Sequence, residues 1–296
     1  MRAPAGTQKA PSLMTRGLSH VAVTVGFEPT VGSTPTQLFE SCTFGRSDTS
    51  PRESLVQPGG RVEPGARSAG ASGIDGYDAE VAWSLRTPFT AARARAWRRR
   101  AQQPGELLYV AIGDSAAQGI GARRLDASYV GRLAARLERL TGRTVRVVNL
   151  SRYGARLDDA LERQLPAVAA LEPDLVTVAI GANDMAAYEP ERFAAAFDRV
   201  LDGLPAHAIV ADLPCFHFGD REQNAVHASR LMAQQVRERG FAFAPLHRVT
   251  EKRRGPQSFP EFTWDQFHPS ALGYRVWESA FAPAVNRRAR EVGAAS

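Results

Sequence analysis

From residue 107 onward the chain alternates between two kinds of hydrophobic spacing. Short apolar runs fall at 107–113 (LLYVAIG), 144–150 (TVRVVNL), 174–180 (DLVTVAI), 207–213 (HAIVADL) and 241–246 (FAFAPL). Runs rich in Val, Ile, Leu and Ala predict strands covered on both faces. Between them, amphipathic patterns predict helices near 126–141, 156–171, 190–203 and 222–239, with a last helix near 270–290. This alternation predicts an α/β fold, a five-stranded parallel sheet with helices on both sides. Right-handed crossovers then bring the C-terminal ends of the strands, and the loops after them, to one edge. Open sheets of this kind bind ligands at that edge.

The front of the chain lacks either period. Residues 1–75 are rich in Gly, Pro, Ser, Thr and Arg, the composition of a disordered segment. Within it, residues 26–51 (GFEPTVGSTPTQLFESCTFGRSDTSP) resemble the conceptual translation of a transfer-RNA gene read on the opposite strand. The expectation is that the start codon is placed too early and that the natural protein begins near residue 72 or later. The chain therefore divides into 1–75, a disordered or wrongly assigned extension, 76–104, a helical basic lead-in, and 105–296, the domain that carries the chemistry. The lead-in reads as one or two helical pieces interrupted near Pro88.

Composition narrows the function classes. With 296 residues and 44% apolar residues, the chain has ample material for a buried core. No apolar run is long enough to cross a bilayer, and "LSHVAVTVGF" near the start is too short and broken for a signal peptide. Two cysteines, Cys42 and Cys215, make no disulfide framework, so a reducing, cytoplasmic compartment is expected. The net charge of +6 raises the question of nucleic acid. Residues 1–105 hold 13 Lys and Arg against 8 Asp and Glu, whereas 106–296 hold 24 against 23. The surplus thus lies ahead of the chemistry, and no nucleic-acid partner is expected. Its densest piece, AARARAWRRR (91–100), reads as a solvated helix face or tail in preference to a patch for phosphate or anionic lipid.

Four loops at the predicted ligand edge carry polar residues. The first strand ends on Gly113-Asp114-Ser115-Ala116-Ala117. That is not the G-x-S-x-G elbow, and a serine here can equally cap a turn. After the second strand, Gly154 sits in a loop where its backbone N–H can serve an oxyanion or merely a turn. After the third, Asn183 can aim an amide at developing charge or close an Asx turn. Late in the chain, Asp265 and His268 stand three apart, before Pro269 and a Ser270 suited to cap the last helix. The carboxylate can take the Nδ1–H and leave Nε2 as a base. Each signal alone is weak. Together they supply a nucleophile, oxyanion donors and an oriented base, the set that acyl transfer needs.

These four blocks resemble those of the SGNH, or GDSL-type, esterase and lipase family over about 105–285. The resemblance implies a flavodoxin-like three-layer α/β/α fold. It implies Ser115 as nucleophile, His268 as general base and Asp265 as its orienter. It also implies an oxyanion hole from the N–H groups of Ser115 and Gly154 and the side chain of Asn183. Many members carry a Leu-Thr or similar pair where Ala116-Ala117 stands here. The implied activity is hydrolysis of small or short-acyl esters through an acyl-enzyme, with no cofactor and no metal. His20, His207, His217, His227 and His247 show no metal-ligand spacing.

Substrate is less legible. The loop 214–224 (PCFHFGDREQN) follows the fourth strand, and Phe216 and Phe218 either line a substrate pocket with Ala116 or anchor the loop to the core, with Cys215 nearby. Lys252-Arg253-Arg254 either favours an anionic substrate or lies in an exposed loop. The expected partner is a small-molecule ester; oligomeric state is not encoded legibly. A carbohydrate-ester deacetylase, a thioesterase or a non-catalytic α/β binding protein are the alternatives. A nucleotide-binding reading lacks G-x-G-x-x-G and leaves Asp265 and His268 without a role.

Overall fold

The computed structural model describes residues 88–294. The expectations for 1–75 and for 76–87 lie outside the described residues. Helix α1 (Pro88–Ala101) begins on a proline, whose missing N–H costs nothing in a first helical turn. It is held by Trp97, whose indole N–H donates to the Gln118 carbonyl at 2.9 Å. Arg93 departs from the expected solvated face: it is buried, and its guanidinium donates to the Ala122 carbonyl.

Five parallel strands follow: β1 (Leu107–Gly113), β2 (Val145–Asn149), β3 (Leu175–Ala179), β4 (Ile209–Ala211) and β5 (Ala242–Ala244). Their order in the sheet is β2-β1-β3-β4-β5, the flavodoxin-like arrangement. β1 lies centrally, with Val110 opposite Val148 on one side and Val176 on the other. The connecting helices are α2 (Tyr129–Thr141), α4 (Pro190–Asp202), α5 (Gly219–Glu238), the short α6 (Leu246–Glu251) and α7 (Ala271–Ala294). Between β2 and β3 the helix α3 runs in three pieces, Leu157–Asp159, a π-helical turn Ala160–Gln164, and Leu165–Ala169.

Period-two alternation along β1 assigns the layers. Leu107, Tyr109 and Ala111 face a cluster with Trp97, Leu133, Tyr274, Trp277 and Phe281 from α1, α2 and α7. Val110 and Ile112 face the opposite cluster with Leu157, Phe193, Phe197, Ala225 and Met232 from α3, α4 and α5. Tyr129 of α2 stacks on Phe281 of α7 at 5.4 Å between ring centroids. Arg136 adds polar ties from α2 to Glu278 at 2.9 Å and to Asn286 at 3.1 Å. Ser128 caps α2 by accepting the Gly131 N–H at 3.1 Å.

Three features differ from the sequence expectation. β1 spans the whole of its apolar run, but β2 to β5 are shorter than theirs, because the run ends leave the ladder. The helix expected over 156–171 is broken in its middle. Pro166 offers no N–H, and its ring would press on the carbonyl four residues earlier, so the chain ahead of it widens into the π turn. Leu246–Glu251 and the 3-10 turns Ala182–Ala187 and Pro256–Glu261 had no hydrophobic period to announce them.

Candidate active site

β1 delivers its last residues into a tightly packed corner. A Cβ on Gly113 would lie 2.6 Å from the Ala179 carbonyl oxygen and 2.7 Å from Ala117 Cβ, so only glycine lets β1 and the following turn close up. Gln164, swung inward by the π turn and fully buried, serves both backbone groups of Gly113. It accepts the Gly113 N–H at 2.9 Å and donates to the Gly113 carbonyl at 3.0 Å. The next residue, Asp114, accepts the Ala116 N–H at 2.9 Å. These bonds leave Ser115 at the sheet edge, buried, with its backbone N–H making no bond among the described residues.

Burial pushes the Asp114 carboxyl up to about 6, against the opposing pull of the Ala116 N–H and of His268. Asp184 is raised to about 7, again chiefly by burial, while the Leu157 N–H and Arg156 pull it down.

The loop ahead of α7 folds around Asp265. One of its oxygens accepts from the Thr263 hydroxyl at 2.6 Å, the Phe267 N–H at 3.0 Å and the His268 N–H at 2.9 Å. Gln266 takes a left-handed φ of 53° to close this turn. The other carboxylate oxygen lies 2.7 Å from His268 Nδ1. Burial opposes the charge on Asp265, but the bonds from His268, Thr263 and the two amides outweigh it and hold the carboxyl well below the usual range. On its other side, His268 Nε2 stands 3.0 Å from Ser115 Oγ. With Nδ1–H donated to the carboxylate, Nε2 is free to accept the serine proton. Ser270 closes the segment as expected, accepting the Leu272 N–H at 3.1 Å.

The loop after β2 brings Tyr153 to 5.9 Å from the His268 ring, and Phe267 meets the same ring edge-on at 5.1 Å. Gly154 follows with a left-handed φ of 74°, its N–H unbonded among the described residues. Asn183 is the second residue of the 3-10 turn Ala182–Ala187 after β3. Its amide donates to the Ala155 carbonyl at 2.9 Å and reaches Asp114 only at 3.5 Å.

The residues expected around a pocket separate. Ala116 is buried in the cluster under α2 and α7. Phe216 packs on the opposite cluster and meets Phe267 at 6.3 Å between centroids. Phe218 points to solvent, 80% exposed. Of the basic triplet, Arg253 pairs with Glu261 at 2.6 Å and Arg254 binds Glu222, so these two arginines serve internal contacts. A cavity of about 700 Å³ beside β5, bounded in part by Asp212, Arg230, Arg248 and Arg287, includes none of the residues around Ser115.

Gln164 and Thr263 escaped sequence reasoning. Pro166 inside an amphipathic helix was the available signal for the first, and a threonine two residues before Asp265 for the second.

A parallel α/β sheet with a histidine between a serine and a carboxylate is an arrangement suited to hydrolysis, and the family match makes this chain a hydrolase that acts on esters. The chain belongs to the GDSL-like lipase/acylhydrolase family, whose profile matches residues 111–276. Solved structures share the fold. One is LAE5, an alpha/beta hydrolase enzyme from the metagenome of Lake Arreo, Spain, with 23% identity, a TM-score of 0.51, and 62% of this chain and 96% of that chain covered. A variant of Axe2, an acetyl xylan esterase from Geobacillus stearothermophilus, has 21% identity and a TM-score of 0.52 over 61% of this chain and 94% of its own. The lipase/acylhydrolase from Enterococcus faecalis has 17% identity and a TM-score of 0.53 over 62% and 96% respectively. No curated protein sequence matches the chain.

Proposed function

We propose that this chain is a serine esterase that hydrolyses small or short-acyl esters through an acyl-enzyme. The observation that carries the reading is the hydrogen-bonded line from Ser115 Oγ to His268 Nε2 at 3.0 Å and from His268 Nδ1 to Asp265 at 2.7 Å. Ser115 Oγ attacks the ester carbonyl as His268 takes its proton, and the carbonyl π pair moves onto oxygen. The N–H groups of Ser115 and Gly154 and the Asn183 amide receive that oxyanion. Collapse breaks the C–O bond, and His268 returns the proton to the departing alcohol. Water, deprotonated by the same imidazole, then attacks the acyl-enzyme and releases acid and Ser115. Asp265 remains ionised throughout and fixes the ring, a role its low pKa suits.

Two aromatic rings, Tyr153 and Phe267, flank His268, which favours a compact acyl group over a long chain. A second reading, deacetylation of a carbohydrate ester, draws on Trp264. This residue precedes Asp265 and is 94% exposed, offering a flat amphipathic ring to a sugar face. The structural neighbour Axe2 is an acetyl xylan esterase.

Hydrolysis of nitrophenyl esters from acetate to decanoate, beside an acetylated xylo-oligosaccharide, tests both. Turnover is expected to peak at the shortest chains and to fall by about four orders of magnitude or more in Ser115→Ala. A peak at decanoate overturns the short-acyl assignment, and equal turnover in Ser115→Ala overturns the mechanism. A higher kcat/KM on the sugar ester, lost in Trp264→Ala, selects the second reading.

A further inference from the structure

Three buried side chains from three separate elements meet behind the loop that follows β4. Cys215 lies in that loop, Glu222 in the first turn of α5 and His247 in the first turn of α6. Cys215 Sγ is 3.3 Å from Glu222 Oε1, and His247 Nε2 is 3.4 Å from the same oxygen. The donor atoms of all three lie within 4.8 Å of one another. His247 Nε2 is buried and in ion-pair range of the carboxylate, yet makes no hydrogen bond among the described residues.

We propose that Cys215, Glu222 and His247 bind a divalent transition-metal ion, with zinc the best match to the donor set. Thiolate, carboxylate and imidazole are the three ligand types zinc takes, at bond lengths of about 2.0–2.3 Å. A tetrahedral centre with such bonds spaces its ligands roughly 3.4–3.6 Å apart. The two separations from Glu222 Oε1 already stand near that spacing. The ligands are also held from behind, as metal sites require. Glu222 Oε2 accepts the Phe216 N–H at 2.6 Å, the Cys215 N–H donates to Thr250 Oγ1 at 2.8 Å, and the His247 N–H donates to Asp212 at 2.8 Å.

A guanidinium supplies positive charge beside the three donors. Arg254 donates to Glu222 Oε1 and approaches Cys215 Sγ at 3.3 Å. Its side chain is 42% exposed, so it can withdraw into solvent as the metal enters. The thiol proton leaves to solvent as well, and water completes the coordination. The ligands stand 7 and 25 residues apart in sequence, which is why no short ligand motif announces them. The site holds none of the reacting atoms of the ester reaction. It fastens the Cys215–Phe216 loop to α5 and α6, and through Phe216 and Phe267 it steadies one wall beside His268.

Titrating the reduced full-length chain with Co²⁺ tests the site. The expected result is one equivalent bound, with a thiolate-to-cobalt charge-transfer band that Zn²⁺ abolishes. Cys42→Ser should keep the band and Cys215→Ser should lose it. Arg254→Gln retains all three donors and remains informative should Cys215→Ser fail to fold. Removing the competing cation should tighten binding by roughly tenfold. No band in the parent chain, a band that depends on Cys42, or unchanged affinity in Arg254→Gln overturns the proposal. The readout is independent of ester turnover, so failure here leaves the esterase reading standing, and the reverse also holds.

Discussion

At the scale of single residues, the decisive quantity is where protons and charges are allowed to rest. A serine hydroxyl is weakly nucleophilic until a base takes its proton, and an imidazole is useful only in the right tautomer. In the proposed mechanism Asp265 sets that tautomer, and four hydrogen-bonding groups surround its carboxylate. Asp265→Asn preserves the shape but reverses the preferred proton position, so kcat should fall by about 10⁴ with KM little changed. Comparable loss in both parameters would mean that the loop, not the tautomer, had failed. Asp114 behaves oppositely to Asp265, because burial raises its pKa from an ordinary 3.8 to about 6. A carboxyl whose folded pKa is raised contributes stability below its unfolded value and loses it as pH climbs through the folded value. Stability should therefore decline between about pH 4 and pH 6, by an amount on the order of 2–3 kcal/mol. Asp114→Asn keeps an oxygen for the Ala116 N–H and removes the ionisation, so its unfolding free energy should be flatter across that window than the parent's. An identical slope in both proteins would refute the assignment. The juxtaposition of Ser115, Asp265 and His268 was legible in the sequence because the proposed acyl transfer calls for those residue types on loops at one edge. Thr263 was not, since a hydroxyl that only orients a carboxylate leaves no compositional trace.

At the scale of elements, the fold's least regular segment supports its most exacting one. The π turn ahead of Pro166 places Gln164 against both backbone groups of Gly113, the last residue of β1 before Asp114 and Ser115. Gln164→Ala leaves the buried Gly113 N–H without that acceptor, and an unmet buried polar group costs about 1–3 kcal/mol. The variant should unfold at lower denaturant and lose kcat, while Gln164→Glu, which keeps the acceptor, recovers part of the stability. Full stability in Gln164→Ala would mean that the clamp is incidental. The five strands and the main helices were readable from period alone. The break in α3 was not, because hydrophobic spacing reports which face is buried and is blind to one extra residue per turn. The shortening of β4 and β5 has a similar cause: Leu213 and Leu246 continue the apolar runs past the last ladder pairs, into the loop after β4 and the start of α6, and stay buried there.

At the scale of the whole molecule, topology explains why distant residues meet. Ser115 follows β1, Gly154 follows β2, Asn183 follows β3, and the loop of Asp265 and His268 precedes α7. In a sheet ordered β2-β1-β3-β4-β5, the first three loops rise from adjacent strands at one edge. α7 packs on α2 within one layer, on the sheet face of Leu107, Tyr109 and Ala111, and the Tyr274 hydroxyl donates to the Ile120 carbonyl, joining the histidine segment to the serine turn. No helix among the described residues is long and apolar enough to cross a membrane. The sequence made this edge legible because strand order follows from handed crossovers, whereas pocket walls depend on how side chains settle. Phe216 and Phe218 illustrate the limit: neighbours in one loop, one lies against the core and the other in solvent. The proposed esterase mechanism requires that Ser115 be the group that attacks. The most direct test is to treat the protein with an alkyl fluorophosphonate, which transfers its phosphonyl group to an activated serine with loss of fluoride, and to map the adduct by peptide mass spectrometry. One adduct is expected, on Ser115, and it should form far more slowly in His268→Ala. An unlabelled Ser115, or an adduct on another residue that tracks the loss of activity, would contradict it.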